Sequence, residues 1–347
     1  MSKILVSSLY SCTKELLTSW GVPSDQSEFI SKTIVYAHQH GKHTHGITRL
    51  PIYKKKIDQG WMTPSTTPVT KIDFAAITVL DCNNGFGQVV AEQAMNVAIQ
   101  KASLFGIGAA FVSNSNNFGV AGYFGELAAN KGMVGIVTTA AAPAVAPEGG
   151  QKSIFGTNPI CVAFPSNEGN IVLDMAVSAA ARGKIRLAEK NNEKIPFGWA
   201  VDKDGKPTDD PTAALAGNML AIGGVKGFGL AMVADLMAGL LSGSAFGGNI
   251  KPLACETDFS RHGHLFMAVN IGKLMPENEY LEKISQFIAN IKGCGKPGDI
   301  YLPGERSRTK AAQNETYVDL KQKQIDDFNQ LLQDNRINGT LTIAEEP

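Results

Sequence analysis

The sequence predicts an α+β fold: an α/β-type central lobe with a mixed sheet, joined to helical segments. Helical spacing dominates the first 58 residues, and short apolar runs alternate with helices from residue 77 to 138. Runs at 161–164 and 171–173 then add further strands. At 347 residues the chain exceeds the usual size of one domain, so two lobes are expected.

Taken in order, Leu9, Cys12, Leu16 and Trp20 recur at helical spacing, and Gly21-Val22-Pro23 ends that helix. A second helix is expected near Asp25, which would cap it while Glu28 completes a capping box. Its buried face would be Phe29, Ile30, Thr33, Ile34 and Ala37. A third contains Pro51 and so starts no earlier than about Thr48, because proline has no N–H and is tolerated only in the first turn. The Ser/Thr/Pro cluster at 63–68 reads as a linker. Strands at 77–80, 108–112 and 134–138 enclose helices at about 88–104 and 119–130. A late strand at 265–271 precedes helices near 277–291 and 320–332.

Gly85-Phe86-Gly87 invites a dinucleotide-fingerprint reading, which fails: Val90 stands at the third glycine, and no acidic residue ends a second strand at the right distance. Any nicotinamide cofactor is therefore bound in another way.

Charge excludes other classes. Lys+Arg and Asp+Glu balance at 32 each, leaving no electrostatic footprint for nucleic acid or an anionic membrane. Five cysteines without a C-x-x-C pair suggest neither a disulfide framework nor a zinc ribbon, and read as reduced thiols. The most apolar segment, 228–241, carries Asp235 and falls short of the roughly 20 residues of a membrane span. No apolar signal region opens the chain. A cytoplasmic location is expected. No G-x-S-x-G elbow lies near a histidine, which leaves a serine hydrolase without support.

The chemistry concentrates in HTHGITRLPIY, 43–53. Arg49 and Tyr53 are four apart on one helical face, and His45 sits in the lead-in loop, so guanidinium, phenol and imidazole can converge on a small anion. The competing reading makes Arg49 a surface cap and Tyr53 a core residue. Histidines 38, 40, 43 and 45 have no familiar zinc spacing and no further ligands. We read His38, His40 and His43 as a partly solvated helix end, with no metal.

The same stretch resembles the [ST]HGxxRxxxYxxxxxxG element of the malate/L-lactate dehydrogenase family, with Thr44-His45-Gly46, Arg49, Tyr53 and Gly60 in place. GTNP (156–159), LDMAVSAAARGKI (173–185), GWAVDKDGKPTDDP (198–211), GGVKGFGL (223–230) and YLPGE (301–305) follow in family order. The resemblance implies a non-Rossmann, mixed-sheet NAD(P)-binding domain at 73–272. It also implies a helical substrate and dimerisation domain built from 1–72 with 273–347. It implies hydride transfer between NAD or NADP and a small anionic 2-oxo or 2-hydroxy acid, or a cyclic imine, in a homodimer without nucleic-acid or membrane partners. A catalytically silent binding homologue is the alternative.

Residue by residue, the resemblance makes His45 the proton donor and Arg49 the carboxylate anchor, with Thr44 and Tyr53 beside the substrate. It gives Ala141, Thr157, Asn158, Asp174, Met175, Ala176, Lys226, Gly304 and Glu305 to the cofactor. Asp174 either tunes the histidine or caps the following helix. Lys226, among glycines at a helix start, suits an anion. Two positions depart from the family. Asn117 stands where some members have an acid/base histidine, and its amide cannot exchange a proton at pH 7. Glu148 replaces an aromatic residue.

Overall fold

The computed structural model describes residues 2–343. A short strand β1 (Ser2–Leu5) leads into helices α1 (Val6–Ser19), α2 (Ser24–Gln39) and α3 (Leu50–Asp58). Leu9, Leu16, Ile30, Ile34, Leu50 and Tyr53 from these helices form one core with Val318, Leu320, Ile325, Phe328 and Leu332 from the far end of the chain. The two ends of the sequence therefore stabilise each other by shared apolar burial.

The capping box expected at Asp25 does not form. Pro23, with φ fixed at −54°, starts α2 at Ser24 without a side-chain cap, and Glu28 instead pairs with Lys14 at 2.6 Å. The face named for α2 is buried throughout: Phe29, Ile30, Thr33, Ile34 and Ala37.

Strands β2 (Val69–Phe74) and β3 (Ile77–Asp81), helix α4 (Gly87–Phe105), strand β4 (Ile107–Ser115), helix α5 (Ala121–Ala129), and strands β5 (Met133–Ala140), β6 (Ile160–Phe164) and β7 (Ile171–Met175) build the central lobe. After them come α6 (Arg182–Asn191), β8 (Ala200–Val201), β9 (Pro207–Thr208), α7 (Pro211–Ala216), β10 (Asn218–Met219) and α8 (Val225–Ala234). The chain ends with β11 (His262–Asn270), α9 (Glu277–Lys292), α10 (Glu305–Gln313), β12 (Tyr317–Leu320) and α11 (Gln322–Asp334). The main sheet runs β2-β3-β4-β11-β5-β6-β7. Only the β3–β4 pair is parallel, joined through α4, so the sheet is mixed.

Alternation decides what each face buries. Ala110, Val112, Phe266 and Ala268 pack under α4 and α5, while Ala109 and Leu265 face the opposite side against Ala238 and Ile250. A smaller sheet, β10-β8-β9, packs with α6 and α7 around Val145, Phe155 and Val177. Asp210 caps α7 by accepting from the Thr212 and Ala213 amides.

The sequence reading lacked β2 and the β1–β12 pair. Every side chain of β2 is exposed, so it carries no buried alternation, and it joins the sheet from Val69, ahead of the expected 72/73 boundary. β1 and β12 are four residues each and exist only by pairing across the whole chain.

Candidate active site

The loop between α2 and α3 is built from two short 3₁₀ turns, His43–His45 and Ile47–Arg49, after which α3 begins with Pro51 in its first turn. Gly46 is required at the junction: a Cβ there would lie 2.0 Å from His38 Nε2. Gly46→Ala is therefore expected to displace His38 and to lower stability by about 1–3 kcal/mol. Thermal unfolding would show a depressed Tm, and an unchanged Tm would refute the tight packing.

His38 corrects the sequence reading of a partly solvated helix end. It is fully buried, its Nε2 accepts the Ile47 amide at 3.0 Å, and its Nδ1 lies 3.1 Å from His43 Nδ1. Burial pushes its pKa down to about 3, so it is neutral. His40 stacks on Tyr36 and points Nδ1 at the Tyr36 carbonyl. His43 is half-buried beside His38.

His45 keeps partial exposure, and its Nδ1 lies 3.1 Å from Thr44 Oγ1. Burial, then the charges of Arg49 and Lys42, depress its pKa to about 3. Arg49 donates Nε to the Thr44 carbonyl at 2.6 Å, and its terminal nitrogens have no acceptor among the described residues. The loop thus presents a neutral imidazole beside a guanidinium with unspent donors.

Tyr53 is 1% exposed, packs edge-on against Phe86, and its hydroxyl accepts from Gln88 Nε2 at 3.1 Å. The core reading of Tyr53 describes its position, with the phenol buried rather than open to solvent. Asp174 lies within β7, one residue before its end, and caps no helix, since α6 begins at Arg182. Its carboxylate faces Lys42 Nζ at 3.6 Å, and Lys42 in turn acts on His45. Lys42 was missing from the sequence reading because only the fold brings it between β7 and the His45 loop.

Asp174 and Lys42 also line a cleft of about 760 Å³, together with Gly304, Tyr301, Arg306 and Arg308. The remaining residues expected at the cofactor divide. Met175 and Ala176 are partly exposed next to Asp174. Glu305 is committed to Lys292 at 2.6 Å and to the Leu302 amide, and thereby fixes the loop before α10. Asn158 is fully buried, accepting from the Ala141 amide and donating to the Ala231 carbonyl, so it joins β5 to α8. The Thr157 carbonyl accepts from Val177. Lys226 is exposed in the first turn of α8, next to Gly223 and Gly224, both at φ +61°. Glu148 is exposed, and a Cβ on Gly224 would lie 3.7 Å from its carboxylate.

Gly87 serves packing rather than phosphate binding, since a Cβ would meet the Asn116 and Asn117 carbonyls at 2.3 and 2.6 Å. Asn117 itself is half-buried, and its Oδ1 accepts the Gly119 amide. Two further histidines, His262 and His264 on β11, escaped the sequence reading. Both are buried and held neutral by burial, and His264 contacts Thr139 and the Asn116 carbonyl.

Comparison with known proteins is consistent over most of the chain. The profile of the malate/L-lactate dehydrogenase family matches residues 4–329. Malate/(S)-sulfolactate dehydrogenase of Methanothermus fervidus is 35% identical over 327 residues, covering 94% of this chain and 96% of that protein. Ureidoglycolate dehydrogenase (NAD(+)) of Escherichia coli O157:H7 is 31% identical, covering 90% of each. The structure of sulfolactate dehydrogenase from Methanocaldococcus jannaschii superposes with a TM-score of 0.92 at 34% identity, over 97% of this chain and 98% of that one.

Proposed function

The chain belongs to the malate/L-lactate dehydrogenase family; it is an NAD(P)-dependent oxidoreductase of a small hydroxy acid, and we propose that His45 and Arg49 carry its chemistry. The observation behind this reading is the His45 loop, where a neutral imidazole lies near a guanidinium with free donors and Lys42 links the loop to the Asp174 cleft.

Arg49 takes the C1 carboxylate through its terminal N–H groups, a charge-assisted and geometrically specific contact. The reaction uses the tautomer in which His45 Nδ1–H donates to Thr44 Oγ1, 3.1 Å away, so that Nε2 accepts the substrate hydroxyl proton during oxidation and returns it during reduction. Lys42, held by Asp174, helps keep that imidazole uncharged before substrate arrives. The Asn117 amide cannot do this proton work, and its oxygen is already engaged by Gly119.

The cleft suits a nicotinamide dinucleotide. Its walls carry Lys42, Arg306 and Arg308 among the carboxylates of Glu126, Asp174 and Asp299, with the Tyr301 ring under Arg306, and Gly304, at φ +85°, packs its backbone on Val172 of β7. Asp174, Met175, Ala176 and Gly304 would hold the cofactor there, with Lys226, Ala141 and Thr157 on the α8 side, where buried Asn158 fixes the backbone rather than reaching a ligand. When bound, the cofactor exchanges a hydride with C2 of the substrate.

A homodimer is part of the same reading. Its support is an unusually apolar exposed stretch, with Val225 at 64% and Val233, Leu236, Leu240 and Leu241 at 41–53% exposure. A cytoplasmic location rests on the free cysteines, while no helix among the described residues is long and apolar enough to cross a membrane.

The test is absorbance at the reduced-nicotinamide band across a panel of 2-oxo acids and cyclic imines, with NADH and with NADPH. Turnover of at least one pair is expected. Cofactor binding without any turnover would identify a silent binding protein instead.

A further inference from the structure

Four histidines crowd the end of α2, and the chemistry assigned above uses one of them. The pair of buried His38 and half-buried His43 is joined ring to ring. Its hydrogen bonds go to the loop that presents His45.

The geometry fixes a tautomer chain. Ile47 has a backbone N–H and can only donate, so His38 Nε2, 3.0 Å away, accepts and carries no proton. Neutral His38 therefore carries its proton on Nδ1. That atom lies 3.1 Å from His43 Nδ1, which must accept, so neutral His43 carries its proton on Nε2. His38 is fully buried, and Gly46 leaves no space beside it. One imidazole thus grips both sides of the turn: His43 before Thr44-His45, and Ile47 after it.

We infer that His38 is a positioning residue for proton transfer: with His43 it forms a tautomer-locked latch that holds Thr44 and His45 in place, and protonation of His43 releases it. The inference rests on the reading of His45 as the proton-transfer group. If His43 gains a proton, either both Nδ1 atoms carry hydrogens and the bond between the rings is lost, or His38 moves its proton to Nε2 and opposes the Ile47 amide. Each outcome costs one of the two bonds that define the loop.

His43 is the member of the pair that can titrate. It is half-buried, whereas His38 is sealed. Besides His38 on α2, the charged groups facing His43 are Lys310 on α10, Asp319 on β12 and Lys321 just beyond it. Burial and then Lys310 hold His43 below its ordinary value, with Asp319 opposing. The neutral, latched form therefore persists at neutral pH and is lost on the acid side.

Three variants separate the roles. H43N places an amide oxygen where Nδ1 accepts and cannot ionise, so the latch should survive without its pH sensitivity. Its kcat should stay within about twofold of wild type at pH 8, and the acid limb belonging to His43 should vanish. H38L removes both bonds and should lower kcat on the order of 10²-fold, as a misplacement near 1 Å does, while the KM for cofactor stays unchanged. H38Q keeps an acceptor for Ile47 and should fall between the two.

Selective ¹⁵N-histidine NMR of the full chain reads the latch without substrate. His38 should appear protonated at Nδ1 and bare at Nε2 in wild type and H43N, and a His38 proton on Nε2 at neutral pH would overturn the proposal. So would wild-type kcat in a folded H38L, or an acid limb identical in wild type and H43N. Because the tautomer is measured on the unliganded protein, a failure of the latch is distinguishable from a failure of the assigned reaction.

Discussion

Replacing His45 by alanine is expected to lower kcat by about 10²- to 10⁴-fold, the usual contribution of a positioned acid/base group, while cofactor binding persists. The argument comes from the state of the ring. Burial, Arg49 and Lys42 all disfavour the imidazolium, so at neutral pH the group is an unprotonated base next to the substrate anchor. A substrate carboxylate reaching Arg49 neutralises one of those cations and raises the imidazole pKa, so affinity for the proton increases when the substrate hydroxyl is in place. Steady-state turnover together with cofactor titration of the variant measures both quantities, and full retention of turnover would remove His45 from this role.

Arg49→Met is expected to act chiefly on the substrate. Losing a charged hydrogen bond of about 1.5–3 kcal/mol predicts a KM raised by about 10- to 150-fold. The same change predicts a second, independent effect. Arg49 is the first charge after burial that depresses His45, so removing it favours the imidazolium. Sign follows directly: the acid limb of kcat/KM in the direction of hydroxy-acid oxidation moves to higher pH. An unchanged KM with an unshifted limb would place Arg49 away from the substrate.

Much of this was legible in the sequence where periodicity or a short motif carried it. The buried face of α2, the alternation of strands and helices through β5, and the start of α3 near Pro51 follow from helical spacing, apolar runs and proline's missing donor. The Gly85-Phe86-Gly87 motif was rightly set aside, since Gly87 exists to let α4 pass the Asn116 and Asn117 carbonyls. What the sequence concealed depends on contacts between distant residues. No local rule puts Lys42 against Asp174, 132 positions later, or gives Glu28 to Lys14 in preference to a capping box. His38 looked like a solvated helix end because its burial arises from the chain folding back through Gly46. Asp174 offered two readings from its position in sequence; β7 runs through it and α6 begins well beyond it, which excludes the cap.

The most direct test is a crystal structure of the protein with reduced nicotinamide dinucleotide and oxamate, an unreactive mimic of a 2-oxo acid. The oxamate carboxylate should be bonded to the Arg49 guanidinium, with its adjacent carbonyl oxygen accepting at about 3 Å from the Nε2–H of a His45 that has taken up a proton on binding. Oxamate bound away from both side chains, or a nicotinamide ring remote from the His45 loop, would contradict the account.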